Sequence, residues 1–185
     1  MSLPKFLPYL ACVALAVAGG CARSAPARFY MLSPVQHAAA TAASPVVGLH
    51  VDTLPEYLRR PELAVRASAN EVRYDEFSRW AEPLERALPR VLAADLAMAL
   101  GQPMVPLYPW DLAKRPERIL TVCIERFDAD SAGQVTLVAN TSVGDGWEKT
   151  TIRVAAASPA AADLVAAQSE ALDQFAKQLA KRVQP

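Results

Sequence analysis

The chain has 185 residues, with 19 Lys and Arg against 19 Asp and Glu, 52% hydrophobic residues, 15 Pro and 7 Gly. That is the size of one compact domain and too apolar for a disordered chain, although 36 Ala leave the true core to the larger side chains. A net charge of zero provides no basic footprint for displacing counterions from phosphates, so nucleic acid is not an expected partner, and no apolar run is long enough for a permanent membrane span.

Residues 1–20 have the three-part layout of an export signal: Lys5 beside the α-amine, an apolar run over 6–18, and the small pair Gly19-Gly20 before Cys21. As a helix the run reaches about 20 Å at ~1.5 Å per residue, short of the ~30 Å hydrocarbon core. The Gly19-Gly20-Cys21 end resembles the lipobox of bacterial lipoproteins. That resemblance implies that Cys21 becomes the first mature residue and carries diacylglycerol and an N-acyl chain, enough acyl chains for stable anchoring. It also implies, from Ala22 in the following position, delivery to the periplasmic face of the outer membrane. Cys12 leaves with the signal and Cys21 takes lipid, so Cys123 has no disulfide partner within the mature chain.

Residues 21–28 then form a lipidated tether, and the folded domain is expected over 29–185. The run Phe29-Tyr30-Met31-Leu32 predicts a first strand, 34–45 a linker with few large side chains, and 46–51 a second strand. After a proline-bounded turn over 55–61, alternation predicts strands at 63–68 and 72–77 joined near Asn70. Leu84, Leu88, Val91, Leu92, Leu96 and Leu100 follow helical spacing up to a stop at Gly101. Pro83 suits the first helical turn, whereas Pro89 predicts a kink or a restart of the helix.

A short strand is expected at 104–107, a half-buried strand at 119–127, and a hairpin of 135–143 with 150–155 around Gly144-Asp145-Gly146. Ser158 and Pro159 mark the start of a final helix with Ala161, Val165, Leu172, Phe175, Leu179 and Val183 as its apolar stripe. This order predicts an α/β fold: a single-domain layered sandwich with a mixed β-sheet flanked by helices.

Catalytic chemistry is hard to assemble from this sequence. His37 lies in the linker and His50 in a strand, neither beside residues at metal-ligand spacing, and no phosphate-binding or nucleophile motif is present. Neither a metal nor a cofactor is expected, and Cys123 reads as a small buried hydrophobe. What stands out instead are aromatic and arginine residues in proline-bounded segments. Tyr57, Arg59 and Arg60 lie in one such turn, Trp80 precedes a helix, and Trp110 follows Pro109. Tyr, Trp and Arg offer large, stiff contact surfaces, so these five are candidate partner or subunit contacts. The competing role is structural: Tyr57 covering the core, Trp80 stapled onto the helix, and Arg79 paired with an acid such as Glu82.

Together, Cys21, the opening Phe29-Tyr30-Met31-Leu32, the turn Pro55-Glu56-Tyr57-Leu58-Arg59-Arg60-Pro61, the block Arg79-Trp80-Ala81-Glu82-Pro83-Leu84, Tyr108-Pro109-Trp110 and Arg126-Phe127-Asp128 resemble the PqiC/YmbA family. These are auxiliary lipoproteins of MCE-type, ABC-linked lipid transport. The resemblance implies a non-catalytic periplasmic domain that docks on a tunnel-forming MCE protein and its inner-membrane components. It also implies the ability to assemble as a homo-oligomeric ring and a role in membrane integrity. Two other classes compete: a free periplasmic lipid carrier, which needs an apolar cavity, and a lipid-anchored hydrolase, for which His50 with a nearby Ser is the only candidate base.

Overall fold

The computed structural model describes residues 25–35, 47–144 and 146–183. The export segment, Cys12, Cys21, His37 and most of the linker lie outside the described residues. Seven strands and two helices follow in the order β1 (Arg28–Tyr30), β2 (Val47–Thr53), β3 (Glu62–Ser68), β4 (Glu71–Trp80), α1 (Leu84–Leu100), β5 (Arg118–Asp130), β6 (Gln134–Val143), β7 (Trp147–Ala155) and α2 (Ala161–Val183). They build one mixed, open sheet with both helices on one side, an α/β fold.

β3 and β4 form an antiparallel hairpin, with β1 parallel to the outer edge of β4. β5, β6 and β7 form an antiparallel meander. The long β5 joins the two halves, because two strands share its other edge. Val47 to Thr53 of β2 run parallel to Arg118 to Cys123, while Val65 and Arg66 of β3 pair further along with Ala129 and Asp130. The sheet therefore forks along β5, and the turn between β2 and β3 sits at the fork.

Alternation sets the two faces. Leu120, Val122 and Ile124 of β5, Val135, Leu137 and Ala139 of β6 and Ile152 of β7 are buried beneath the helices. α1 lies over β2, α2 over β5 to β7, and the helices pack against each other. A bulge between Ile124 and Arg126 shifts the phase, so Phe127 and Ala129 continue the core and Asp128 turns to the opposite face.

Several boundaries differ from the sequence expectation for local reasons. α1 runs unbroken through Pro89, so no restart occurs there, and Pro83 is its N-cap with ψ 129°, accepting from Arg86 and Ala87 N–H. Gly101 closes the helix in the left-handed region at φ 66°, as its position implied. The strand expected at 104–107 reduces to a single bridge, Leu107 to Leu49. α2 begins at Ala161, later than Ser158-Pro159 suggested, although the Ser158 hydroxyl still accepts from Ala160 N–H and donates to Asp163. β4 extends to Trp80, which at 7% exposure belongs to the core.

Candidate interaction surface

The face opposite the helices is mostly a polar ladder. Glu125 of β5 accepts from Asn140 of β6 and pairs with Lys149 of β7. Two proline-containing segments cross this face, and they carry four of the five aromatic and arginine candidates.

The first is the turn at 54–61, held by a single 3-10 turn over Glu56–Leu58. Leu58 is buried, and the Tyr57 hydroxyl donates to Asp128 Oδ2 at 2.7 Å. Asp128 is 0% exposed and also receives Arg66 Nη2 at 2.8 Å on Oδ2 and Arg126 Nε at 2.8 Å on Oδ1. Burial, reinforced by the hydrogen bond to Asp128 and by its charge, pushes the Tyr57 hydroxyl up to about 12. The Asp128 carboxylate likewise holds the Arg66 guanidinium above its ordinary value. Tyr57 thus fastens the turn to the fork of the sheet. Arg59 lies outside, 3.1 Å from Glu56 and 3.8 Å from Glu85 at the start of α1. Arg60 lies over the Tyr74 ring at 4.3 Å and reaches Glu62 at 3.3 Å.

The second segment, 101–117, wraps around the free edge of β2. Leu49 N–H donates to Pro106 O at 2.9 Å, and Tyr108 N–H donates to Leu49 O at 3.0 Å. Tyr108 then lies on His50 with ring centroids 4.4 Å apart, and Trp110 meets Tyr108 edge-on at 5.3 Å. Gly48 lets this happen. A Cβ there would sit 2.5 Å from Pro116 Cγ and 3.1 Å from Trp110, so any larger residue would lift the loop. Met104 and Tyr108 leave much of their apolar surface in solvent, while Trp110 is half-buried.

The chemistry-bearing candidates do not converge on a reactive group. His50 Nε2 is 3.9 Å from Asp52 Oδ1, too far for a hydrogen bond. Cys123 is half-buried on the open face with its Sγ 3.7 Å from Asp52 Oδ2, rather than a core residue. Among the described residues no group of three His, Cys, Asp or Glu side chains is placed to hold a metal ion. A groove of about 870 Å³ at the far end of the sheet is open and charged, lined by Arg115, Arg118 and Arg182 with Thr121 and Ser142. Arg79 pairs with Glu62 at 3.6 Å rather than with Glu82, which meets Arg90. Among the five contact candidates, Trp80 is internal, Tyr57 at the fork and Trp110 beside Gly48 are half-buried, and Arg59 and Arg60 face outward. Sequence reasoning missed the role of Asp128, because only the bulge in β5 brings it beneath the turn.

The geometry defines an open-faced α/β domain whose accessible features are loops and strand edges. Residues 30–180 match the family described as ABC-type transport auxiliary lipoprotein component, and this chain belongs to that family. Its fold is shared by a crystal structure of an uncharacterised protein, at 16% identity and a TM-score of 0.70 over 86% of this chain and 100% of that one. A Xanthomonas campestris protein assigned to the DUF330 family is also similar, at 18% identity and a TM-score of 0.62 over 83% of this chain and 93% of that one. No curated protein matches the sequence. Among the described residues no helix is long and apolar enough to cross a membrane.

Proposed function

We propose that this protein is a lipid-anchored, non-catalytic subunit of an MCE-linked, ABC-type lipid transport system, held by an acylated Cys21 at the periplasmic face of the outer membrane. The observation that carries the reading is the match of residues 30–180 to auxiliary lipoprotein components, together with the Gly19-Gly20-Cys21 sequence ahead of them. Its part is positional: the domain docks on a tunnel-forming MCE protein and completes a protected route for lipid, while ATP hydrolysis belongs to another subunit. The outward Arg59 and Tyr108 and the half-buried Trp110 are the side chains assigned to that contact, with Arg60 on the Tyr74 ring and Tyr57 and Trp80 supporting them.

Two measurements test this. Cys21→Ser is expected to move the protein from the membrane fraction to the soluble fraction. Alanine at the exposed Arg59 is expected to weaken co-purification with the MCE protein while the thermal unfolding midpoint stays near that of the parent. If every loss of association tracks a loss of folding, the contact assignment fails. His50→Ala provides the check on catalysis, with transport expected to be unchanged.

A further inference from the structure

We propose that the corner of the open face at β1 is a membrane-resting surface, seated on the phospholipid bilayer that holds the acyl chains of Cys21. The inference rests on the anchoring reading above and adds an orientation to it.

Three exposed large apolar side chains cluster at this corner, whereas Met104 and Tyr108 lie on the 101–117 loop and Trp147 starts β7. Phe29 is 65% exposed, Met31 55% and Phe77 45%. Phe29 is in register with Arg79, and Phe77, two residues from Arg79 on β4, falls on the same side of the sheet. Ala25, Ala27, Tyr74 and Phe77 line one concavity with Arg60 and Arg79. The β5–β7 part of the same face contrasts with it, since Glu125, Asn140 and Lys149 satisfy one another there.

Chain length determines what meets the corner. Phe29 is eight residues from Cys21, so even a fully extended tether keeps it within about 28 Å of the acylated residue. Ala25 and Ala27, already part of the patch, lie on the path back to the lipid. The rim carries Arg60 and Arg79 against Glu62 and Glu76, and arginine stems can lie along apolar surface with their heads at phosphate level. Acyl chains supply the affinity, and the aromatic corner fixes which side of the domain faces the bilayer. The 101–117 loop and the Arg59 side of the 54–61 turn are then left for protein contact.

The test uses the full chain, processed and acylated in cells and reconstituted into phosphatidylethanolamine–phosphatidylglycerol vesicles. In a Cys123→Ser background, an environment-sensitive fluorophore is placed through Phe29→Cys, through Phe77→Cys, or through Trp147→Cys on β7 as the distant control. Labels at 29 and 77 are expected to shift to the blue and to lose most of their emission to shallow nitroxide phospholipids, while the label at 147 responds only to aqueous iodide. Vesicle-bound protein whose labels at 29 and 77 are quenched by iodide alone overturns the proposal and leaves anchoring intact. Labels shielded from both quenchers mean a second copy or another protein covers the corner, which also overturns it. If the processed chain carries no acyl group and stays in the supernatant, the anchoring reading falls and this proposal falls with it.

Discussion

Three carboxylates are buried among the described residues, Asp95, Asp128 and Asp173, and the first two have opposite surroundings. Asp128, at the fork of the sheet, is 0% exposed and receives hydrogen bonds from Tyr57, Arg66 and Arg126 on both oxygens. Asp95, on α1, is 1% exposed and accepts only Val35 N–H at 3.2 Å on Oδ1, with no partner on Oδ2. Burial pushes Asp95 up to about 6, opposed by the Val35 hydrogen bond, while Asp173 and Glu170 raise it further and Lys177 lowers it. One charge is compensated and fixes a turn; the other is under-compensated and holds the segment after β1 against the helices. A buried charge stabilises through the partners it finds, not through burial.

The largest expected effect comes from removing the compensated charge. Asp128→Ala leaves two guanidinium groups and a phenol without their acceptor, and is expected to destabilise the domain by about 3–5 kcal/mol in urea unfolding. A loss below about 1 kcal/mol would show that the fork holds without its carboxylate.

Tyr57→Phe removes one donor from a charged acceptor and is expected to cost about 1.5–3 kcal/mol. It also carries a pH signature. The folded hydroxyl titrates at about 12 against the ordinary 10.0, so its stabilisation is complete below pH 10 and is lost as the pH rises through 12. The variant should lose that slope in unfolding measured across the same window.

Asp95→Asn should act in the opposite direction. The fold favours the protonated carboxyl, so the stability from this group is complete below about pH 3.8 and is lost as the pH rises through about 6. Asparagine keeps the acceptor for Val35 N–H without the charge. It is expected to stabilise the protein at pH 7.5 by about 1–2 kcal/mol and to flatten this contribution between the two values. Destabilisation at pH 7.5 would mean that Lys177 compensates Asp95 more fully than its 2.7 Å pairing with Asp173 suggests.

Tyr108→Ala is expected to have the smallest effect on folding, within about 0.5 kcal/mol, because its ring is exposed. Its effect should appear in partner co-purification instead. A large loss of stability would show that the Tyr108–His50 contact holds the loop to β2.

These contrasts separate what was legible in the sequence from what was not. The β3–β4 hairpin, the leucine spacing of α1 with its Gly101 stop, and the β6–β7 meander were read from period and turn chemistry, which act locally. A restart of the helix at Pro89 does not occur, because spacing cannot show that the packing of Leu88 and Leu92 holds the helix together across a missing N–H. Trp80 reads as the entry to a helix, whereas β4 runs three residues further than its alternation implies and takes it into the core. Asp128 could be named only as one of several acids, since its burial depends on a bulge and on a turn some 70 residues earlier in the chain.

The fork at β5 also determines when this chain can fold. Among the described strands β2 pairs only with β5, and the hairpin of β3 and β4 reaches the rest of the sheet only through that same strand. Such contacts are distant in sequence and slow to close. A polypeptide emerging amino end first would thus hold little more than the β3–β4 hairpin and α1 among its described elements until β5 follows, and would lock into shape only after its later third had emerged.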